Sequence, residues 1–262
     1  MDNNSTDSTR DVVEAGAASL PVRYLTEPRQ GLSHARNRAL AEFRGAALLF
    51  TDDDVVLDGG WLPAYAAAIQ RFPDASYFGG RVLPLWDGAR PAWLRDEGMA
   101  LIAGVLVHYD LGGEDRPYTA DDPLPFGASF GLRRELAARL GGFRADLGVV
   151  GRKPGRSEET AYLTGAVDGG ATGAYVGSAL AWHEVDRRRL RAGHLFRHGV
   201  EKGVALARTG SGRARGSRSQ AMLFLAKAAL QLSKGRGDRA RQCLINAGIQ
   251  TGLRQAGRGL ST

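Results

Sequence analysis

A chain of 262 residues and 28.0 kDa, 43% hydrophobic and 24% charged, can bury a full α/β core with residues left for an appendage, and is not a disordered chain. The single Cys243 excludes an internal disulfide and any cysteine-based zinc site, and no apolar run reaches the length of a bilayer span. The net charge of +7 is unevenly divided: residues 1–186 carry 18 basic and 26 acidic side chains, residues 187–262 carry 17 and 2.

That division predicts a core over 1–186 and a basic helical extension over 187–262. A basic tail suits nucleic acid or an anionic membrane surface. No nucleic-acid motif or aromatic platform accompanies the charge, so the membrane surface is preferred and no nucleic-acid partner is expected. The expected location is the cytoplasm, with peripheral contact at the inner face of the cell membrane.

In chain order, the Asn/Ser/Thr/Asp cluster at the start caps a helix over Thr9 to Ala18, and Val22 to Leu25 reads as a short strand. A helix follows over Gly31 to Phe43, with Ala35, Ala39, Leu40 and Phe43 at core spacing. The run Leu48-Leu49-Phe50-Thr51-Asp52-Asp53-Asp54-Val55 is a buried strand that ends in three carboxylates. Alternation along a strand places Asp52 and Asp54 on one face, where they repel unless a hard cation such as Mg²⁺ or Mn²⁺ lies between them. An acidic turn that caps the next helix is the competing reading.

Gly60 to Phe72 reads as an amphipathic helix, Ser76 to Leu83 as a strand, and Met99 to Val107 as helical. Trp86 and Trp93 are assigned to packing ahead of sugar stacking. Pro125 to Leu132 is a strand of small residues, and Arg133 starts a helix that ends at Gly141-Gly142. Gly148 to Arg156 reads as a mobile basic loop, and Ser157 caps a helix whose first turn holds Glu158 and Glu159. Ala174 to Val176 and Ala179 to Trp182 are short extended pieces ahead of His183. A basic helix over Arg187 to Gly203, a flexible link over Thr209 to Ser219, an apolar dozen at Ala221 to Leu232 and a last helix capped by Asp238 complete the chain. These last helices suit a membrane interface or a hairpin packed on the core or on a partner subunit.

Taken together, Ala35-Arg36-Asn37, the acidic run at 52–54, Asp58-Gly59-Gly60-Trp61, Phe126-Gly127-Ala128-Ser129, Gly141-Gly142-Phe143 and Glu158-Glu159 resemble, in order and wording, the family 2 inverting glycosyltransferases of the GT-A fold. The resemblance runs from about residue 2 to about residue 203. It implies a GT-A mixed α/β sheet flanked by helices, with the C-terminal helices as an extension. Its first strand, helix and second strand would precede Asp2, so the chain is expected to be N-terminally truncated relative to the fold.

The resemblance also implies a nucleotide-diphosphate sugar as donor, UDP ahead of GDP, a divalent cation (Mn²⁺ or Mg²⁺), and a saccharide or lipid-linked acceptor. It places Asp2 at the nucleobase, Arg36, Asp52 and Asp53 toward the nucleotide, and Asp52, Asp54 and His183 at the metal. Glu159 stands where the family has its general base, an aspartate, so Glu158 remains the alternative. Two rival readings stay open: a metal-dependent nucleotidyl or phosphoryl transferase, and a non-catalytic module of the same fold.

Overall fold

The computed structural model describes residues 1–17, 19–147, 158–208 and 216–259. Six strands form one sheet among these residues: β1 (Ala47–Thr51), β2 (Val55–Leu57), β3 (Tyr77–Leu85), β4 (Arg116–Pro117), β5 (Ser129–Arg133) and β6 (Gly173–Glu184). Their order is β1-β5-β3-β6-β2, with β4 paired to β6. Only β3 and β6 run parallel, and every other pair is antiparallel. The helices are α1 (Thr9–Gly16), α2 (Leu32–Glu42), α3 (Trp61–Arg71), α4 (Asp96–Leu101), α5 (Ala103–Leu106), α6 (Arg134–Leu140), α7 (Glu158–Asp168), α8 (Ala192–Arg208), α9 (Arg218–Ser233) and α10 (Gly237–Gly259).

Alternation along the central strands divides the core between the two faces of the sheet. Tyr77, Phe130 and Leu132 join Phe50, Leu136, Phe143 and Leu163 in one cluster, while Phe78, Val176 and Ala181 join Trp61 and Tyr65 in another. A third cluster holds Leu94, Ile102, Leu106, Leu190, Leu195 and Ile245, and thereby ties α4 and α5 to the C-terminal helices. Trp86 and Trp93 pack against this cluster, as the sequence suggested.

Several local expectations change. Val22 to Leu25 forms no strand, and the segment makes only a parallel bridge between Asp2 and Thr26. No neighbouring strand offers Val22 a face to bury, and it stays exposed. The strand expected from Pro125 starts at Ser129, since prolines lack the ladder donor. The helix expected over Met99 to Val107 is two short helices, and β-branched Val107 takes a left-handed φ of 54° at the end of the second. The two pieces expected near 174 and 179 are one strand, because a register shift opposite Gly80/Arg81 absorbs the residues between them. The basic helix breaks at Arg191: a 3₁₀ turn over Arg187–Leu190, capped by the Asp186 carboxylate, precedes α8. Asp238 lies within the first turn of α10 and does not cap it. The expected loop at 148–156, its cap Ser157 and most of the link at 209–219 lie outside the described residues.

The C-terminal helices meet backbone to backbone. A Cβ on Gly199 of α8 would strike the Ile245 carbonyl oxygen, and one on Gly252 of α10 would strike that of Val200. Gly203 and Gly248 meet the same obstacle one turn away, so four glycines at spacings of four let α8 and α10 approach closely. Gly252→Leu should therefore force the helices apart and lower stability by roughly 1–3 kcal/mol, read as a drop in the urea midpoint. A melt equal to the wild type would refute the close crossing.

Candidate active site

The site begins with a helix start. Gly31 takes a φ of +138°, open to glycine alone, and its N–H donates to the Asn3 side chain; α2 follows directly. One turn of α2 then presents three polar side chains to the rest of the site. Ser33 donates to the Arg144 carbonyl, and Asn37 holds Phe143 from both sides, accepting from its N–H and donating to its C=O. Between them Arg36 enters the protein, where it is buried.

Arg36 links the two acidic motifs. Its Nη1 donates to Glu158 Oε1 at 2.6 Å and lies 3.7 Å from Glu159 Oε2, while Nη2 lies 3.8 Å from Asp52 Oδ1. The guanidinium also stands over the rings of Phe50, Phe130 and Phe143 at 5.5 to 5.9 Å from their centroids. A Cβ on Gly127 would collide with Nη2, so the lack of a side chain there makes room for this arginine.

Asp52 to Asp54 is the turn between β1 and β2, not the end of a strand, so strand alternation does not govern it. Pairing of β2 with β6 sets Val55 opposite His183, and Glu184 donates its N–H to the Asp54 carbonyl. That register puts His183 Nε2 at 3.3 Å from Asp54 Oδ2. Arg189, from the 3₁₀ turn, reaches within 3.8 Å of the same oxygen. Asp53 is exposed at the tip of the turn.

These surroundings set the charges. The hydrogen bond from His183 holds the Asp54 carboxyl below its usual range. Asp52 is pushed up, first by burial and then by Asp54, and Arg36 offsets this only in part. Burial and the neighbouring Glu159 raise Glu158 to about 7 against the pull of Arg36. Among the described residues no three acidic, histidine or cysteine side chains already form a closed metal set. Asp54 and His183 nevertheless face one another, Asp52 carries an incompletely neutralised charge beside them, and His183 Nδ1 is buried without a partner. This donor set fits a hard or borderline divalent cation whose other positions come from outside the protein.

Asp2 lies apart from that network. Its Oδ1 accepts from the backbone and hydroxyl of Ser5 and its Oδ2 from the Tyr24 hydroxyl, which together lower its pKa. Both oxygens of the side chain aligned with a nucleobase contact are thus engaged within the protein. Sequence reasoning missed Arg189, although a run of three arginines shortly after His183 was there to be weighed. It also missed Ser129, a fully buried hydroxyl that accepts from Trp61 Nε1 at 3.0 Å and bonds the Tyr65 hydroxyl at 3.0 Å.

Two stability measurements test the network. Arg36→Met leaves the buried Glu158 and the half-buried Glu159 and Asp52 without their cation and should cost roughly 3–5 kcal/mol in urea unfolding. Glu158 has a folded pKa above its unfolded value, so its contribution is present below about 4.5 and lost as pH rises through about 7. Glu158→Gln should flatten that fall between the two values; an unchanged pH profile would contradict the buried, raised carboxyl.

The profile described as Glycosyl transferase family 2 matches residues 1–141. The succinoglycan biosynthesis protein ExoM of Rhizobium meliloti (strain 1021) is 27% identical over 270 residues, covering 96% of this chain and 81% of that protein. A glucosyl-dolichyl phosphate glucuronosyltransferase of Haloferax volcanii is 21% identical over 162 residues, covering 61% of this chain and 49% of that protein. Among solved structures, the mannosyltransferase PcManGT of Pyrobaculum calidifontis, in complex with GDP-Man and Mn²⁺, superposes with a TM-score of 0.53 at 22% identity, over 96% of this chain and 76% of that one. TarS 1–349 of S. aureus, in complex with UDP, gives 0.51 at 17%, over 97% and 80%. These two structural likenesses show the fold, a GT-A mixed sheet flanked by helices. With the profile spanning more than half of its length, the chain belongs to glycosyl transferase family 2.

Proposed function

We propose that this glycosyltransferase is an inverting, metal-dependent enzyme that moves a sugar from a nucleotide-diphosphate donor, UDP ahead of GDP, to a hydroxyl of a saccharide or lipid-linked acceptor. The observation that carries the reading is the convergence of Asp52, Glu158 and Glu159 on Arg36, with Asp54 paired to His183 in the same turn as Asp52. Asp52, Asp54 and His183 would hold a divalent cation, which when bound neutralises charge developing on the leaving diphosphate. Arg189, half-buried beside Asp54, supplies a guanidinium suited to the same phosphates.

Glu159 is the general base in this reading. Glu158 is buried against Arg36, whereas Glu159 is the more accessible and the looser of the two, free to meet an acceptor hydroxyl. It takes the acceptor proton as that oxygen attacks the anomeric carbon from the face opposite the diphosphate, and a single displacement inverts the configuration. Arg36 positions the acidic motifs relative to one another, because its guanidinium is already committed to carboxylates and rings. The name of the Rhizobium relative supports an acceptor in polysaccharide assembly.

Glu159→Gln should lower kcat by about 10²–10⁴-fold with little change in KM for the donor, and proton NMR of the product should show the inverted anomer. Retained configuration, or a larger loss in Glu158→Gln than in Glu159→Gln, would overturn the assignment. Arg189→Ala should raise KM for the donor; an unchanged KM would remove Arg189 from the diphosphate site.

A further inference from the structure

We propose that the outward face of α9 docks on an anionic phospholipid bilayer and lies in its interface. α9 packs chiefly on α10, and its packed side follows a heptad seam of Ala221, Phe224, Ala228 and Gln231. Phe224 is the one large apolar side chain in that seam; the others are two alanines and a glutamine. Met222, Leu223 and Leu230 point the other way, 60%, 52% and 50% exposed, and Leu232 at the helix end is 57% exposed. A helix whose solvent side is more apolar than its packed side lacks a partner for that side.

The charge around the face identifies the partner. Lys227 and Lys234 flank Leu223 and Leu230 at the helical spacing of four, Arg218 opens the helix, and Arg236 follows it. Between Glu201 and Asp238 the sequence has eight basic residues and no acidic one. A second copy of the chain could cover the leucines, but it would bring like charges together with no carboxylate on α9 to pair them. A nucleic acid would pair the charges and leave the leucines in water. A bilayer with anionic headgroups satisfies both, with the leucines among the acyl chains and the lysines at the phosphates. Among the described residues no helix is long and apolar enough to cross a membrane, so the mode is interfacial. This surface is independent of the transfer chemistry and stands or falls without it.

The test is co-sedimentation of the full chain with phosphatidylcholine vesicles, with and without about one-third phosphatidylglycerol. The wild type should bind the anionic vesicles, lose binding as salt rises, and ignore the neutral ones. Leu223→Asp with Leu230→Asp, and separately Lys227→Glu with Lys234→Glu, should each weaken partitioning at least about tenfold. All four positions are exposed, and thermal melts matching the wild type confirm that the variants fold. Binding that survives either pair, or a wild type that ignores anionic vesicles, overturns the proposal. So does a wild-type dimer in sedimentation equilibrium that the leucine pair turns into a monomer while vesicle binding stays absent.

Discussion

Arg36 carries a permanent charge into the interior of the protein, and the arrangement around it is what makes that tolerable. An isolated buried cation costs several kcal/mol, and a carboxylate partner offsets the cost only when its geometry is good. Here the Glu158 carboxylate accepts at 2.6 Å, Asp52 and Glu159 lie further out, and three phenylalanine faces surround the rest of the guanidinium. Asp52 lies more than a hundred positions from the adjacent Glu158 and Glu159 in the chain, and the two acidic motifs meet at one arginine. Asn37 fixes Phe143 from the same helix turn, so α2 holds both the charge and a wall of its cage. The fold around the site is in this sense organised by where one guanidinium must be neutralised.

The second constraint is a strand register. β2 is only three residues long, yet its pairing with β6 brings His183 beside Asp54. A slip of one residue would turn His183 to the other face and separate them. Directly after β6 the chain turns through Arg187–Leu190, so Arg189 reaches the same carboxylate and Leu190 enters the cluster that seats the C-terminal helices. The extension is thus attached to the site through two adjacent residues.

Much of this was legible in the sequence, and the exceptions have physical reasons. The family, the mixed sheet, most helices and the acidic motifs could be read because apolar periodicity and linked motifs are local signals. Which of two adjacent glutamates is buried is not local: Glu158 meets Arg36 across more than a hundred residues of chain, and no spacing within Glu158-Glu159 encodes that. The surroundings of Arg36 were hidden for the same reason, since a polar helix position gives no sign of three aromatic rings converging on it from β1, β5 and the loop after α6. Val22 to Leu25 has strand-forming residues without a strand, because pairing needs a partner that composition cannot supply. The glycines of α8 and α10 were visible, and only the crossing shows that their spacing of four is a contact surface.

In the proposed reading, the turn at Asp52 to Asp54, with His183, builds a donor site that works through a divalent cation. Calorimetric titration of the full chain with UDP and with GDP, each in the presence and absence of Mn²⁺, tests it most directly. The account predicts binding of UDP that requires Mn²⁺ and disappears in Asp54→Ala. Binding of equal strength without the metal, or undiminished in that variant, would contradict it.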